Sequence, residues 1–489
     1  MENSTAMLYT AQSNSFDEKM QPIVDGIFTK TLGIYSISLH FCKIPSIMYV
    51  EFLCNEVFPM LVAFHTHGCK VNQYETQAMR KQMESAGYQT AEFVPNQTSA
   101  DVLVINSCTV TGESDRKLRQ FLRRCRRALP HAVIVLCGCM SQAYPDAAFA
   151  LPEVDIVLGN AVRSDLLPKI EEFLATKQRI CCVPAHPSVY EPLDIDDFQG
   201  RTRAFVKIQD GCNRFCSYCI IPYARGRVRS RKPEDITAEL TRLAAKGYKE
   251  VVLVGINLTA YGQDCGLTIA DAVDAACAVD GLERIRLGSL EPDFITDAVI
   301  ARMKAQPKLC PQFHLALQSG CDATLKRMNR HYTTAEYADL CNRLRHHFPD
   351  CAITTDIMVG FPGETTEEFE DTLRFVDSIA FARAHIFAYS RRPGTNADRF
   401  PNQVDNSEKV RRSKRMQEIC DKQAAAYATR YIGKTVSVLL ETPYADGVVD
   451  GHTDTYLTVM VKTSKPEGTL LPVRITDCKG DTLYGEESM

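Results

Sequence analysis

One stretch narrows the possible folds of this chain more than any other. Ile208-Gln-Asp-Gly-Cys212-Asn-Arg-Phe-Cys216-Ser-Tyr-Cys219 places three cysteines at C-x3-C-x2-C spacing directly after the apolar run Ala204–Ile208. A short apolar run of this kind reads as a strand, so the cysteines occupy the loop at its end. A structural zinc site takes four ligands, usually as paired C-x2-C halves, and no fourth Cys or His lies nearby. An iron–sulfur cube takes one ligand per iron, so three thiolates would leave one iron open to a ligand from solution. The simpler alternative is three buried or disulfide-bonded cysteines.

At 489 residues the chain exceeds what one hydrophobic core organises, and two to four domains are expected. Residues 1–59 show no clear helical or alternating period between Gly26 and Phe58, and lack the basic start and cleavage site of a secretory signal. They read as an N-terminal extension, either a start assigned upstream of the true one or an extra domain. Over 60–178 a βα rhythm sets in. Apolar runs at Leu61–Phe64, Val102–Ile105, Ala132–Leu136 and Asp155–Leu158 alternate with helix-compatible stretches at Tyr74–Ala86, Glu113–Ala128, Ser141–Phe149 and Ser164–Thr176. Such alternation predicts a parallel sheet covered on both faces. Residues 179–199, with Pro184, Pro187, Pro192 and an acidic run, read as a linker.

Six further strand candidates recur at helical spacings over 200–403: Ala204–Ile208, Glu250–Gly255, Arg284–Leu287, Gln312–Leu317, Ala352–Met358 and His385–Tyr389. They predict a partial (β/α)6 barrel. Residues 404–430, rich in Lys, Arg, Glu and Ala, predict an exposed linker helix. Residues 431–489 switch to short strands at Thr435–Leu440, Gly447–Gly451, Tyr456–Val461 and Pro472–Ile475, the pattern of a small all-β barrel. The fold class is α/β with an all-β tail.

In parallel sheets and barrels, ligands bind at the carboxyl ends of the strands. Cys69, Cys108 and Cys139 occupy three such ends in the first domain, far apart in sequence. Any one of them alone would read as a buried small residue; three at equivalent ends point to a shared ligand set. Cys137 alternates to the opposite face and reads as core, Cys125, Cys181 and Cys182 carry no assignment, and His65 and His67 read as packing groups. The corresponding face of the barrel gathers the Cys212 loop, Gly255-Ile-Asn257, Ser289 with Glu291, Gln318-Ser-Gly320, Gly360-Phe-Pro-Gly363 and Tyr389-Ser-Arg391. Ordinary βα turns are the alternative for its Gly-rich members.

C-x3-C-x2-C after a short strand resembles the cluster loop of the radical S-adenosylmethionine (SAM) enzymes. With Gly68-Cys-Lys-Val-Asn-Gln-Tyr-Glu75, Asn106-Ser-Cys-Thr-Val-Thr111, Gly138-Cys-Met-Ser-Gln142, Leu315-Ala-Leu-Gln-Ser-Gly320 and Asp356-Ile-Met-Val-Gly-Phe-Pro-Gly-Glu364, residues 60–489 resemble the radical-SAM methylthiotransferases. The Cys-Thr-Val-Thr text is similar to the branch that modifies N6-threonylcarbamoyladenosine (t6A) beside the tRNA anticodon. The resemblance implies two [4Fe–4S] clusters, one on Cys212, Cys216 and Cys219 that cleaves SAM, and a second on Cys69, Cys108 and Cys139. It implies SAM near Tyr218, Gly255, Asn257, Ser289, Glu291, Gln318 and Gly360, and a C-terminal TRAM-like barrel. Carbon 2 of adenine has an unactivated C–H bond that no acid–base pair can prepare, so the resemblance assigns its activation to the cofactor. The sulfur is expected to come through the open iron of the second cluster, methylated by one SAM while another supplies the radical. The two cysteine sets are therefore expected to face each other across the barrel mouth. An external electron donor and a sulfur source are implied as partners.

A formal charge of −4 requires any tRNA contact to use local patches. Residues 203–232 carry eight Lys and Arg against one Asp, a balance of +7, and Arg225, Arg227, Arg229 and Arg231 alternate as if along one side of an extended segment. Seven further basic residues lie between Arg116 and Arg127, with Arg116, Arg119 and Arg123 spaced for one helical face. A solvated charged face is the alternative. From Tyr431 onward five basic residues meet nine acidic ones, a balance of −4, which is poor electrostatics for a barrel that grips RNA. Twenty cysteines scattered through a long chain favour a reducing compartment, and a cytoplasmic location is expected. No run of eighteen apolar residues occurs, so no membrane span is expected. Methylthiolation of isopentenyl-adenosine tRNA or of a ribosomal-protein aspartate uses the same plan and stays open, as does a non-catalytic iron–sulfur RNA-binding protein.

Overall fold

The computed structural model describes residues 60–109 and 112–488; the expectations for 1–59 lie outside the described residues. The first sheet is built from β1 (Leu61–His67), β2 (Gln89–Glu92), β3 (Val102–Ser107), β4 (Val133–Gly138), β5 (Ile156–Leu158) and β6 (Ile180–Cys182). All neighbours pair in parallel, in the order β2-β1-β3-β4-β5-β6. The central strands β3 and β4 are buried at every position, the signature of a sheet covered on both faces. Helices Lys70–Ser85, Gly112–Ala128 and Leu166–Thr176 supply the cover. Two separate apolar clusters result, one containing Leu103, Ile105, Leu118 and Leu122, the other Val62, Phe64, Met79 and Ile170.

The single helix expected over Ser141–Phe149 is instead two, Cys139–Ala143 and Pro145–Phe149. Pro145 disfavours helical backbone at the residue before it, and Tyr144 is accordingly non-helical. Strand β6 falls inside the expected linker; three residues are too few for a visible period. Strand β2 carries no apolar run at all.

The second body comprises β7 (Arg203–Lys207), β8 (Gln209–Asp210), β9 (Arg229–Ser230), β10 (Glu250–Val254), β11 (Arg284–Leu287), β12 (Ser289–Leu290), β13 (Gln312–Leu315), β14 (Ala352–Val359) and β15 (Arg383–Ala388). Parallel pairing runs β11-β10-β7 and β12-β13-β14-β15, with β11 and β12 separated by Gly288 alone. The result is an arc of six strand positions whose edges are β7 and β15. Helices such as Pro233–Ala245, which opens with Pro at its first position, and Thr366–Ile379, which opens with a Thr365/Glu368 capping box, cover its outside. Helix Asn406–Thr429 then leads to a closed barrel of β16 (Thr435–Pro443), β17 (Val448–Thr453), β18 (Thr458–Lys462), β19 (Leu470–Lys479) and β20 (Thr482–Glu487), in the order β16-β17-β18-β20-β19. Its last strand, β20, escapes the sequence reading because Tyr484-Gly-Glu-Glu487 has little apolar content.

The small barrel is docked on the arc by a buried ionic layer. Register aligns Arg203, Glu250 and Arg284 across β7, β10 and β11. Glu250 takes Arg284 at 3.3 Å and Arg286 at 2.8 Å. The two arginines reach on to the small barrel. Arg286 donates to the carbonyls of Thr453 (3.0 Å) and Asp454 (2.7 Å), and Arg284 donates to those of His452 (3.1 Å) and Ser437 (2.5 Å). Tyr456, with φ of 69°, lies between the guanidinium groups of Arg203 and Arg286, 4.9 and 4.8 Å from its ring centre. Burial pushes the Glu250 carboxyl up, but Arg286, Arg203 and Arg284 outweigh it and hold the group at about 2. A carboxyl depressed in the folded state stabilises fully above its ordinary value of 4.5 and loses that contribution as pH falls through about 2. Acidification across this window is expected to loosen the small barrel first, read as early hydrogen exchange at β16–β18; Glu250→Gln should show the same loosening at neutral pH.

Candidate active site

Parallel strands lie about 4.8 Å apart, so the turns that leave adjacent strands are neighbours. Register pairs His67 with Ser107 and Ser107 with Gly138, which sets the turns after β1, β3 and β4 side by side. Cys69 caps helix Lys70–Ser85, Cys108 follows β3, and Cys139 opens the short helix after β4. The Cys108 N–H donates to the His67 carbonyl at 2.7 Å. Gly138 is required where it stands: its φ is 97°, and a Cβ there would fall 2.3 Å from the Ser107 carbonyl oxygen. Cys137 points into the apolar core, fully buried, as its alternation predicted. His65 stacks on Phe121 at 4.1 Å and is pushed down to about 4 by burial and by His67, which makes it a packing group.

The second set lies on the loop after β8. Its conformation depends on Gly211, where φ is 75° and a Cβ would meet the Arg227 carbonyl, and on Phe215 at φ 51°. Ser217 N–H donates to the Met328 carbonyl at 2.9 Å and Ser217 Oγ to the Arg327 carbonyl at 2.8 Å, tying the loop to the carboxyl end of helix Asp322–Arg327. Arg330 Nη1 lies 3.5 Å from Cys216 Sγ and 3.1 Å from Glu291. Asn257 Nδ2 lies 3.9 Å from Cys212 Sγ, and its N–H is held at 2.8 Å by Gln209. Tyr218 faces Phe361, which in turn faces Tyr389, giving the loop an aromatic wall. Ser289 is exposed. Gly255 packs against Gln209, Gln318 (φ 66°) brackets β14 through backbone bonds to Asp356 and Met358, and Gly360 (φ 70°) abuts Lys409. These turns therefore form the carboxyl face of the arc, against which the cysteine loop folds from the edge strand β7. Lys409, Gln209 and Arg330 carry no motif that would have singled them out.

A buried charge network joins Cys139 of the first set to the helix that follows the second set. Helix Ile221–Arg225, which follows Cys219, packs on helix Cys139–Ala143, and Arg225 Nε lies 3.2 Å from Cys139 Sγ. Glu75, wholly buried, binds Lys207 and Arg163 at 3.0 Å each and both Nη atoms of Arg225. Asp210 takes Lys207 at 3.2 Å and lies 3.6 Å from Arg225 and Arg229, while Glu191 takes Arg163 at 2.6 Å. Lys207, Arg163, Arg225 and Arg229 thus outnumber Glu75, Asp210 and Glu191 by one charge, and the surplus adjoins a cysteine sulfur. Burial raises the Cys69, Cys212 and Cys219 thiols above their ordinary value, so they favour the neutral form until a positively charged partner draws off the proton. Among the described residues no three His, Cys, Asp or Glu side chains converge tightly enough for a single metal ion. Three sulfurs spread over three loops, with no carboxylate among them, instead suit a cube ligated one thiolate per iron.

The same network corrects the expected RNA contacts. Arg225 and Arg229 are buried, as is Arg231, which pairs with Glu239. Of the alternating arginines only Arg227 is exposed, lying 4.7 Å over the Phe215 ring. The local balance of +7 misled because Glu75, Glu239, Glu250, Asp293 and Glu441 arrive from other segments to neutralise it. Arg116, Arg119 and Arg123 do project from one exposed face of helix Gly112–Ala128, whose buried side carries Leu118, Leu122 and Cys125.

A last contact joins the Cys108 loop to the arc. Buried Thr109 donates to Asp115 at 2.9 Å, and Arg392 binds both Asp115 (2.8 Å) and the Thr109 hydroxyl. The Thr that follows Cys108 is therefore committed to docking.

The arc and its cysteine loop define a radical-SAM enzyme. The Radical SAM superfamily model matches residues 206–376, and the model of uncharacterized protein family UPF0004 matches residues 61–159. The chain is 41% identical to threonylcarbamoyladenosine tRNA methylthiotransferase MtaB of Bacillus subtilis over 85% of this chain and 93% of the relative. It is 37% identical to the MtaB of Thermotoga maritima, over 87% and 98%. It is 36% identical to tRNA-2-methylthio-N(6)-dimethylallyladenosine synthase of Caldicellulosiruptor saccharolyticus, over 86% and 91%. The radical SAM methyltransferase TsrM of Kitasatospora setae shares the fold, with a TM-score of 0.53 at 14% identity over 69% of this chain and 75% of that one. The chain belongs to the radical-SAM tRNA methylthiotransferases, and membership implies SAM and [4Fe–4S] clusters. Arg392→Ala removes the guanidinium shared by Thr109 and Asp115; it should lower stability by about 1.5–3 kcal/mol and speed hydrogen exchange in the Cys108 loop.

Proposed function

We propose that the protein transfers a methylthio group to carbon 2 of N6-threonylcarbamoyladenosine at position 37 of tRNA. The observation that carries this reading is the buried contact of Cys139, from the first three-cysteine set, with Arg225 of the helix that follows Cys219 of the second. Cys212, Cys216 and Cys219 would hold one cluster; Cys69, Cys108 and Cys139 would hold the other. When bound, the clusters and SAM supply the radical and sulfur-transfer chemistry that no side chain can perform. The chain's own residues bind and orient. Arg225 and Arg330 set positive charge beside Cys139 and Cys216, offsetting the negative charge that a thiolate-ligated cluster brings into a buried site. Tyr218, Phe361 and Tyr389 pack edge to face as an apolar cluster behind the Cys212 loop and limit water there.

The tRNA would be held by the exposed Arg116, Arg119 and Arg123, and by a small platform of Phe215, Tyr223 and Arg227 beside the cysteine loop. Exposed aromatic and guanidinium planes at a site mouth suit unstacked loop bases. The acidic small barrel, engaged with the arc through Arg203, Arg284 and Arg286, serves mainly to complete the fold. A sulfur source and an electron donor complete the reaction, and a cytoplasmic location accords with a tRNA substrate. Among the described residues no helix is long and apolar enough to cross a membrane.

Two measurements test the reading. Cys69→Ala should lower the iron content of the reconstituted protein by about four per chain and leave SAM cleavage intact, whereas Cys216→Ala should abolish cleavage. Mass spectrometry of tRNA nucleosides from a deletion strain should show t6A without its methylthio form, restored on complementation. Unchanged methylthio-t6A in the deletion strain rules the substrate out.

A further inference from the structure

Among the described residues three aromatic side chains stand on left-handed backbone: Phe215 (φ 51°), Phe294 (φ 70°) and Tyr456 (φ 69°). That conformation is strained for a bulky residue, and Gly or Asn adopts it more readily. For Tyr456 the strain is offset, because its ring is gripped between Arg203 and Arg286 at the interface with the small barrel. Phe294 gains nothing comparable inside the protein. It lies on the turn between β12 and helix Asp297–Lys304, and 52% of it is exposed. The next residue, Ile295, is buried in the core and anchors the turn without it. A small polar residue would cost less here in both backbone strain and exposed apolar area. A single surface phenylalanine needs no explanation, but one that is both strained and half exposed does.

The turn belongs to the mouth of the site. Glu291, three residues before Phe294, holds Arg330 at 3.1 Å, and Arg330 in turn lies 3.5 Å from Cys216 Sγ. The ring of Phe294 is covered by the guanidinium of Arg214 at 4.7 Å, and Arg214 is paired with Asp293. Arg214 stands between Cys212 and Cys216 in the chain, and the residue after it is Phe215. Phe215 has Arg227 over its own ring at 4.7 Å and meets Tyr223 edge-on at 5.7 Å. Asn329 Nδ2 donates to the Phe215 carbonyl at 3.0 Å and holds that residue in its strained conformation. Two aromatic–guanidinium pairs therefore share one ridge of the cysteine loop. Strain kept in place by surrounding contacts in this way is characteristic of ligand clamps.

We propose that Phe294 is a stacking shelf for a nucleobase next to the modified adenosine, its ring fixed by Arg214. The inference rests on the tRNA reading above and adds a second shelf to the platform of Phe215, Tyr223 and Arg227. Arg214 is already neutralised by Asp293, so it has no charge to spare for a phosphate, and the ring itself is the binding surface. Every base has a flat face, so a bare aromatic ring holds a loop base without reading its identity. An enzyme that acts on a base takes it out of its stack, and the bases on either side then lose a stacking partner. An exposed ring at the mouth replaces that partner. Phe294 is thus an RNA-binding residue that leaves the reacting atoms untouched.

The test uses reconstituted holoenzyme and anticodon stem-loops with t6A at position 37, either intact or lacking the base at position 36 or at position 38. Phe294→Asn removes the ring but keeps a residue that tolerates left-handed backbone. It should weaken binding of the intact stem-loop about tenfold, with iron content unchanged and the melting temperature unchanged or higher. Phe294→Trp should restore most of the affinity. Removing one of the two flanking bases should weaken wild-type binding by a similar factor and have no further effect in Phe294→Asn. Wild-type affinity in Phe294→Asn, or a base-removal penalty that persists in it undiminished, overturns the shelf alone. A melting temperature that falls together with affinity makes the ring structural and equally overturns it. So does unchanged RNA affinity with slower reduction by an acidic electron-transfer flavoprotein, which assigns the ring to the electron donor. Failure of the wild-type protein to bind any of the stem-loops overturns the tRNA reading together with this one.

Discussion

Everything in the site depends on a carboxylate with no access to water. Glu75 comes from the first helix of the N-terminal sheet, and its partners Lys207 and Arg225 come from the first strand of the arc and from the segment after the cysteine loop. Arg163 completes the set from the turn after β5 of the same sheet. Removing one partner from such a group leaves the others charged and unpaired, at a cost of about 3–5 kcal/mol. Burial alone would push Glu75 up, yet its three cations hold it at about 2, so it is ionised at any physiological pH. The two bodies of the enzyme are thereby fixed in one arrangement, and that arrangement determines how the cysteine sets face each other.

The network also sets positive charge beside the cysteine sulfurs. Cationic side chains exceed carboxylates by one around Glu75 and Asp210, and Arg225 directs its Nε at Cys139. Arg330 does the same for Cys216 while being held by Glu291. Each cysteine set therefore has an adjacent guanidinium fixed by an acid of its own. Hydrogen bonds to ligand sulfurs and local charge are the levers by which a protein tunes an iron–sulfur centre.

A second ionic layer does the corresponding work at the other end of the arc. Glu250 organises Arg284 and Arg286, which bind carbonyls of the small barrel, and Tyr456 is gripped between Arg203 and Arg286. The arc is thereby tied to the small barrel at the amino ends of β10 and β11. Domain docking draws on rows of charged side chains along β7, β10 and β11, so this arc carries charge where a filled barrel would be aliphatic.

Much was legible in the sequence. The βα alternation, the six strands of the arc, the long helix Asn406–Thr429 and four of the five strands of the small barrel follow from apolar periodicity, because a strand or helix must present an apolar face to fold at all. The placement of Cys69, Cys108 and Cys139 at strand ends was also readable, since parallel sheets expose one set of ends. What the sequence could not supply was the destination of its charges. Arg225, Arg227, Arg229 and Arg231 look alike in the chain, but three are buried against acids from other segments and one faces solvent. Thr109 and Arg392 acquire their roles in the same way, through partners distant in sequence. Local pattern determines which elements form. Which ionic groups become partners is decided only when those elements pack, because a buried charge must find its counter-charge wherever the fold brings one.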